Sequence, residues 1–203
     1  MTGNGTAYTA TYQAMHIKKG VRVFANQGCA SMGYCIPAAI GACIAREKKP
    51  VIVITGDGSI QMNIQELQTI LAYDLPIKIF MLDNKGYLAI RTTQDSYFDG
   101  RHIGSDKAGG LYLPDTSRIA KAYGFQTSTI KDHASLGHIS DLLNKPGAAF
   151  CKVMMDPAQT LYPKLSSVVN FDGKMISRPL EDMYPFLDRD KFRANMIIPP
   201  LDE

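Results

Sequence analysis

The stretch from Val51 to Ile90, VIVITGDGSIQMNIQELQTILAYDLPIKIFMLDNKGYLAI, limits what this chain can fold into more than any other. Val51 to Thr55 is a continuous β-branched run, which predicts a strand buried on both faces. Gly56-Asp57-Gly58-Ser59 then breaks the run with a flexible turn. From Gln61 to Tyr73 the spacing of Ile64, Leu67 and Leu71 predicts a helix, which Pro76 closes off, and Ile77 to Leu82 predicts a second buried strand. Asp83-Asn84-Lys85-Gly86 follows at the end of that strand. A strand–helix–strand unit crosses over right-handed, so both polar turns emerge at the carboxyl edge of one parallel sheet. That topology brings the Asp57 carboxylate near the Asn84 side chain.

The remaining chain continues the alternation. Thr2 to Tyr8 is a glycine-rich polar start, followed by a predicted helix to about Ile17 and a short strand from Val21 to Ala25. Asn26 to Gly33 is a loop of small residues, and Pro37 to Arg46 reads as a slim helix built from Ala38, Ala39, Gly41, Ala42 and Ala45, suited to close packing against the sheet or another subunit. Arg91 to Pro114 shows no clear periodicity and reads as a long functional or mobile loop. Asp115 is a good N-cap for a helix through Ala122 that Gly124 ends. A strand at Gln126 to Ile130, a helix at His133 to Leu143 and a strand at Ala148 to Met155 complete the pattern. The fold class is therefore α/β, an open, mostly parallel sheet with helices on both faces. Residues 1–160 form the domain, and the proline-rich residues 161–203 form an extended C-terminal arm with short helical pieces, packing on or near it.

Composition removes several classes of function. With 203 residues, 45% of them hydrophobic, the chain has ample core for one domain. A net charge of +3 with dispersed basic residues gives no reason to expect nucleic acid. No apolar run reaches membrane-spanning length, and the polar start after Met1 is no signal peptide, so a cytoplasmic protein without membrane contact is expected. Cys29, Cys35, Cys43 and Cys151 lack metal-site spacing and are expected as free thiols.

Asp57 and Asn84 together have a definite chemistry. Magnesium prefers oxygen ligands in octahedral geometry and takes few of them from protein, leaving the rest to water and phosphate. Asp57 offers a carboxylate, Asn84 an amide oxygen, and a backbone carbonyl near Gly86 a third ligand. Gly58 permits close approach of a phosphate, to which Ser59 and the amides opening the next helix can donate. The competing reading is two ordinary strand–helix turns.

The GDG turn, the length of the spacer and the Asn that follows an apolar strand resemble the cofactor motif of thiamine diphosphate-dependent enzymes. NQGCASMGYCIPAAIGA, Asn26 to Ala42, is similar to the segment before GDG in acetolactate synthases. The resemblance implies thiamine diphosphate and Mg²⁺ as cofactors, with Asp57, Asn84 and Gly86 on the metal. Thr6, Met32, Gly56, Asp57, Gly58, Ser59, Asn84, Gly86 and Tyr87 are implied on the cofactor. It places Met32 beneath the bent cofactor as a wedge, where the bland alternative is core filler. The implied reaction is decarboxylation of a pyruvate-like 2-oxo acid and transfer of the two-carbon unit to a second carbonyl; a decarboxylase, an oxidase or an inert cofactor-binding fragment is the alternative.

Departures from the family pattern matter as well. TGNGTAY resembles the loop on the diphosphate side, but Thr6 and Ala7 stand where acetolactate synthases carry Gln and His. Beyond Arg91 those enzymes place a Trp; here Thr92-Thr93-Gln94 implies a larger, more polar acceptor site. Arg91 and Arg101 are candidates for recognising a substrate carboxylate or sugar phosphate, or simply surface charges. The four histidines lack a partner carboxylate at a telling spacing and read as structural or surface groups. RPLEDMYPFLDRDKF is similar to acetolactate synthase-like proteins of surface-sugar pathways.

The family also needs a glutamate that protonates the aminopyrimidine. Glu47 lies in a charged REKK run and Glu66 in a helix body, so neither fits, and no catalytic residue is assigned in this chain. The resemblance implies that a pyrimidine-binding domain, elsewhere in a longer chain or on another subunit, supplies it, in a homodimer or tetramer. Met1 directly before a mid-motif loop favours a cut from a longer chain. Whether FAD binds is not readable from these residues.

Overall fold

The computed structural model describes residues 1–169 and 171–200. It divides into two units, Met1–Gln159 and Thr160–Glu203. The first contains helices α1 (Thr6–Ala14) and α2 (Cys35–Ala45), strand β1 (Val51–Gly56), helix α3 (Glu66–Ala72), strand β2 (Ile77–Asp83), helices α4 (Leu88–Tyr97) and α5 (Thr116–Tyr123), strand β3 (Gln126–Ile130), helix α6 (His138–Asn144) and strand β4 (Ala149–Met154). The strands lie in the order β1-β2-β4-β3, all parallel. This is the open parallel α/β sheet expected from the sequence.

Register places the two polar turns side by side. Gly56 pairs with Leu82, so Asp57 and Asp83 leave neighbouring strands at the same edge. The main core lies between the sheet and α2, α3 and α5, with Ile36, Val53, Leu67, Ile70, Ile77, Ile79, Met81 and Phe150 buried. β1 is buried on alternate residues only: Ile52 is 45% exposed. The expectation of two buried faces fails there because the period of two sends Ile52 away from α2 and α3. On β2 the second face is closed by a cation. Lys78 is buried and donates to the Lys145 and Gly147 carbonyls at 2.5 and 2.7 Å, which compensates its desolvation.

Other boundaries differ from expectation for identifiable reasons. Val21 to Ala25 forms no strand; Phe24 accepts one bond from the Thr2 amide, and Thr2 instead bridges Ile54 alongside β1. α1 ends at Ala14, short of Ile17. The helix expected from Gln61 is a 3₁₀ turn at Ser59–Asn63 followed by α3, because Gln61 and Asn63 spend their amides on backbone and loop partners. The Arg91–Pro114 loop begins inside α4, a helix that escaped the periodicity because its one buried residue is Arg91, not an apolar stripe. α5 follows its expected caps: Asp115 accepts from the Ser117 amide at 3.1 Å, and Gly124 sits at φ 111°.

The second unit holds a hairpin of β5 (Ser167–Val169) and β6 (Met175–Ser177), and helix α7 (Arg189–Asn195). The short helix accompanies a hairpin that the proline-rich sequence does not lead one to expect; the Asp172-Gly173 pair before β6, with Gly173 at φ 76°, is its signal. Asp182 is buried beneath a two-pronged bond from Arg189 at 2.7 and 2.8 Å. Among the described residues no helix is long and apolar enough to cross a membrane.

Candidate functional site

Four loops meet at the carboxyl edge of the sheet, joined by hydrogen bonds into a closed ring. The Asp57 carboxylate accepts from the Gly58 amide at 2.8 Å and, across the edge, from the Gly86 amide at 3.0 Å. Asn84 Nδ2 donates to Thr6 Oγ1 at 3.1 Å, bringing in the loop before α1. Asn4 Nδ2 donates to the Ser31 carbonyl at 2.5 Å, adding the 26–34 loop. The Gly33 amide donates to Ser59 Oγ at 3.0 Å, which returns to the first turn. Thr6, Asp57, Ser59 and Asn84 are all buried.

Among the described residues, one oxygen in this ring is left without a hydrogen-bond partner, and one carboxylate without a counter-charge. Asn84 Oδ1 is buried and accepts no hydrogen bond among the described residues. Its geometry is fixed, because Nδ2 of the same amide is committed to Thr6. Burial pushes the Asp57 carboxyl up to about 6, against the bonds from the Gly86 and Gly58 amides, and the nearby Asp83 raises it further. Asp83 moves the other way: burial raises it, but Lys85 at 2.8 Å and Lys152 at 3.0 Å outweigh that and hold it below its ordinary value. A buried carboxylate without a cation beside an amide oxygen without a donor is a donor set that a hard divalent cation fits. No three His, Cys, Asp or Glu side chains converge for a metal among the described residues, so any ion here relies on this mixed set.

The glycines show what shapes the turns. A Cβ on Gly58 would stand 2.3 Å from Tyr87 Cε1, so Gly58 makes room for the Tyr87 ring. Gly58→Ala is expected to displace that ring and destabilise the chain, and a second substitution, Tyr87→Ala, to recover most of the loss. Urea unfolding of both single variants and the double tests this; additive costs would mean the two residues do not meet. At Gly86, φ is 135° and a Cβ would meet the Ser105 carbonyl at 2.3 Å, so this position takes only glycine. Gly56 has open space around its Cβ position and makes no close approach.

Met32 is 40% exposed, although methionine is a common core filler. The residue after it is clamped: Gly33 lies at φ 82°, donates to Ser59 and accepts from Asn63 Nδ2 at 3.2 Å. Asn4, Asn63 and this use of Ser59 have no signature in the sequence, since polar residues inside loops carry no periodic signal.

Arg91 was read as a substrate or surface group and is neither. It is 6% exposed and donates to the carbonyls of Asn84 at 3.0 Å, Ser105 at 3.1 Å and Pro157 at 3.1 Å. It thereby ties the Asn84 turn to two distant segments. The polarity expected at Thr92-Thr93-Gln94 is also spent internally. Both threonine hydroxyls donate back into α4, and Gln94 bonds the Ile103 carbonyl and the Ser105 hydroxyl. Glu47 is exposed, and Glu66 accepts from Thr69 at 2.8 Å, so neither enters the ring.

His102 has the carboxylate partners the sequence did not reveal. Its Nε2 lies 2.7 Å from Asp95 and its Nδ1 2.7 Å from Asp106, pinning the 98–111 loop to α4. The bonds to these two carboxylates raise its pKa above the ordinary 6.5. The pin is therefore complete below pH 6.5 and is lost as pH rises through the raised value. Amide exchange near the Gly104–Gly109 backbone bond is expected to accelerate across that rise beyond the intrinsic rate, and His102→Ala to abolish the step. A step that survives in the variant would assign it to another group.

Residues 2–153 match the family model described as thiamine pyrophosphate enzyme, C-terminal TPP binding domain. The chain is 36% identical over 157 residues to the acetolactate synthase large subunit of Cyanidium caldarium, covering 76% of this chain and 26% of that protein. It is 34% identical over 154 residues to the acetolactate synthase large subunit of Parasynechococcus marenigrum, covering 75% of this chain and 25% of that one. It is 36% identical over 140 residues to the acetolactate synthase isozyme 3 large subunit of Escherichia coli, covering 67% and 24%. The chain thus spans about a quarter of the length of these curated relatives. With the parallel sheet and the four converging loops, this match places the chain among the thiamine pyrophosphate enzymes, as a TPP-binding domain of the kind found in acetolactate synthase-like proteins.

Proposed function

We propose that this chain is the pyrophosphate-side half of the active site of a carboligase that decarboxylates a pyruvate-like 2-oxo acid and passes the two-carbon unit to a second carbonyl. Asp57, Asn84 and the Gly86 carbonyl hold Mg²⁺. Thr6, Gly58 and Ser59 receive the diphosphate, and Gly56 and Tyr87 shape the turns that carry them. Met32 supports the rings of the cofactor. The observation that carries this reading is the buried, unpartnered Asn84 Oδ1 in the same ring as the Asp57 carboxylate. When bound, thiamine diphosphate supplies the electron sink for carbon–carbon bond cleavage. The protein's own residues position it. Ser59 and Asn63 fix the backbone after Met32, and Arg91 holds the carbonyls of the Asn84 turn so that the amide oxygen stays aimed inward.

The glutamate that protonates the aminopyrimidine comes from a pyrimidine-binding domain outside this chain, in a homodimer or tetramer with a cytoplasmic location. The outer face of α2, with Gly41 and the exposed Ile44, supports packing against such a partner. Calorimetric titration of the full chain with thiamine diphosphate, with and without Mg²⁺, tests the cofactor assignment; binding that requires the metal is expected. Addition of a pyrimidine-domain partner is then expected to restore CO₂ release from pyruvate. Metal-dependent binding followed by silence would reduce the chain to an inert cofactor-binding fragment. In the restored enzyme, Met32→Ala is expected to keep metal-dependent binding and lose turnover; normal turnover would make Met32 filler.

A further inference from the structure

A second concave feature lies between α5 and strands β3 and β4. It has a volume of about 460 Å³, and its lining includes Arg118, Lys121, Lys131 and Lys152 against a single carboxylate, Asp115. That is as much net positive charge in one groove as the whole chain carries. Two of these charged groups are already engaged. Lys152 bridges Asp83 at 3.0 Å, and Asp115 caps the Ser117 amide. Arg118, Lys121 and Lys131 make no ion pair among the described residues.

This concentration of charge has a local cost. Arg118 sits in the first turn of α5, where the helix end is already positive, and Lys121 follows at a spacing of three, where like charges repel. An isolated surface lysine needs no explanation; three unpaired cations converging on one hollow do. Thr127 and Thr129 on β3 add hydroxyls to the same lining, so the groove offers neutral donors between the cations. Its volume falls within the range of small-ligand sites and exceeds what a single bare anion fills.

We propose that this groove binds a phosphorylated small molecule of about nucleotide size, at a place separate from the ring of loops around Asp57. The charge recognises the phosphates, and the aliphatic stems of the lysines with Met154 accept the less polar remainder.

The test is calorimetric titration of the full chain with ADP in the presence of EDTA, which keeps the divalent-dependent site out of play. Saturable binding to one site is expected. The double substitution Arg118→Ala with Lys131→Ala removes two exposed cations and is expected to weaken ADP about 100-fold, at roughly tenfold per charge-assisted contact. Asp57→Ala is expected to leave ADP affinity unchanged, and adenosine is expected not to bind. Absence of saturable ADP binding, adenosine binding as well as ADP, or a loss caused by Asp57→Ala and not by the double substitution would overturn the proposal. Mg²⁺-dependent thiamine diphosphate binding is a separate titration, so failure of one assignment is distinguishable from failure of the other.

Discussion

Asp57→Ala is expected to weaken Mg²⁺-dependent thiamine diphosphate binding by more than about 100-fold, the upper end of losses seen when only an outer partner of a metal ligand is removed. Asp57 is the sole carboxylate of the proposed donor set, so no neighbour can take over its charge. The fold is expected to survive, because two effects oppose each other. Alanine orphans the Gly58 and Gly86 amides, but it also removes a carboxylate that burial holds at about 6. Folding is favoured by that group when protonated, below its ordinary 3.8, and the contribution is lost as pH rises through about 6. At neutral pH the wild-type chain therefore carries a charge it is better without unless a cation is bound. Titration with and without Mg²⁺, together with urea unfolding of the same variant, measures both parts. Unchanged metal-dependent affinity would remove Asp57 from the metal.

Arg91→Ala is expected to be strongly destabilising, costing about 3–5 kcal/mol, since each buried acceptor left unpaired costs about 1–3 kcal/mol and a void is added. The side chain is buried and serves the carbonyls of Asn84, Ser105 and Pro157, so its loss strands the first and last of these, leaves Ser105 with only the Tyr87 amide, and opens a void. Arg91→Lys is expected to recover little, since one ammonium cannot reproduce the planar spread of donors from two nitrogens. Denaturant unfolding gives the size of the loss, and a cost below about 1 kcal/mol would place Arg91 among ordinary surface charges. The same variants are expected to bind the cofactor poorly at temperatures where they remain folded, because the Asn84 carbonyl is one of the three.

What the sequence revealed and what it hid divide along physical lines. Strands at Ile77, Gln126 and Ala149 and the caps of α5 were legible because burial and backbone geometry restrict residue type at each position. The Asp57–Asn84 neighbourhood was legible because crossover handedness and register leave two successive parallel strands one arrangement. α4 was illegible, since a buried arginine anchors it and apolar spacing is silent about arginine. The partners of His102 are hidden for a related reason: Asp95 and Asp106 stand seven residues before it and four after, and only the path of the loop folds them onto both ring nitrogens. Asn4, Ser59 and Asn63 form the ring's remaining links through loop-to-loop bonds, for which no local pattern exists.

Closure of the four loops into a ring has a consequence for how damage spreads through the site. In an open chain of contacts, one broken link isolates everything beyond it. In a closed circuit each loop reaches any other by two routes, so a single lost bond lengthens the path without disconnecting anything, and only a second loss elsewhere splits the circuit. Tolerance of individual changes and abrupt failure on combination follow from connectivity alone, whatever the strength of each bond.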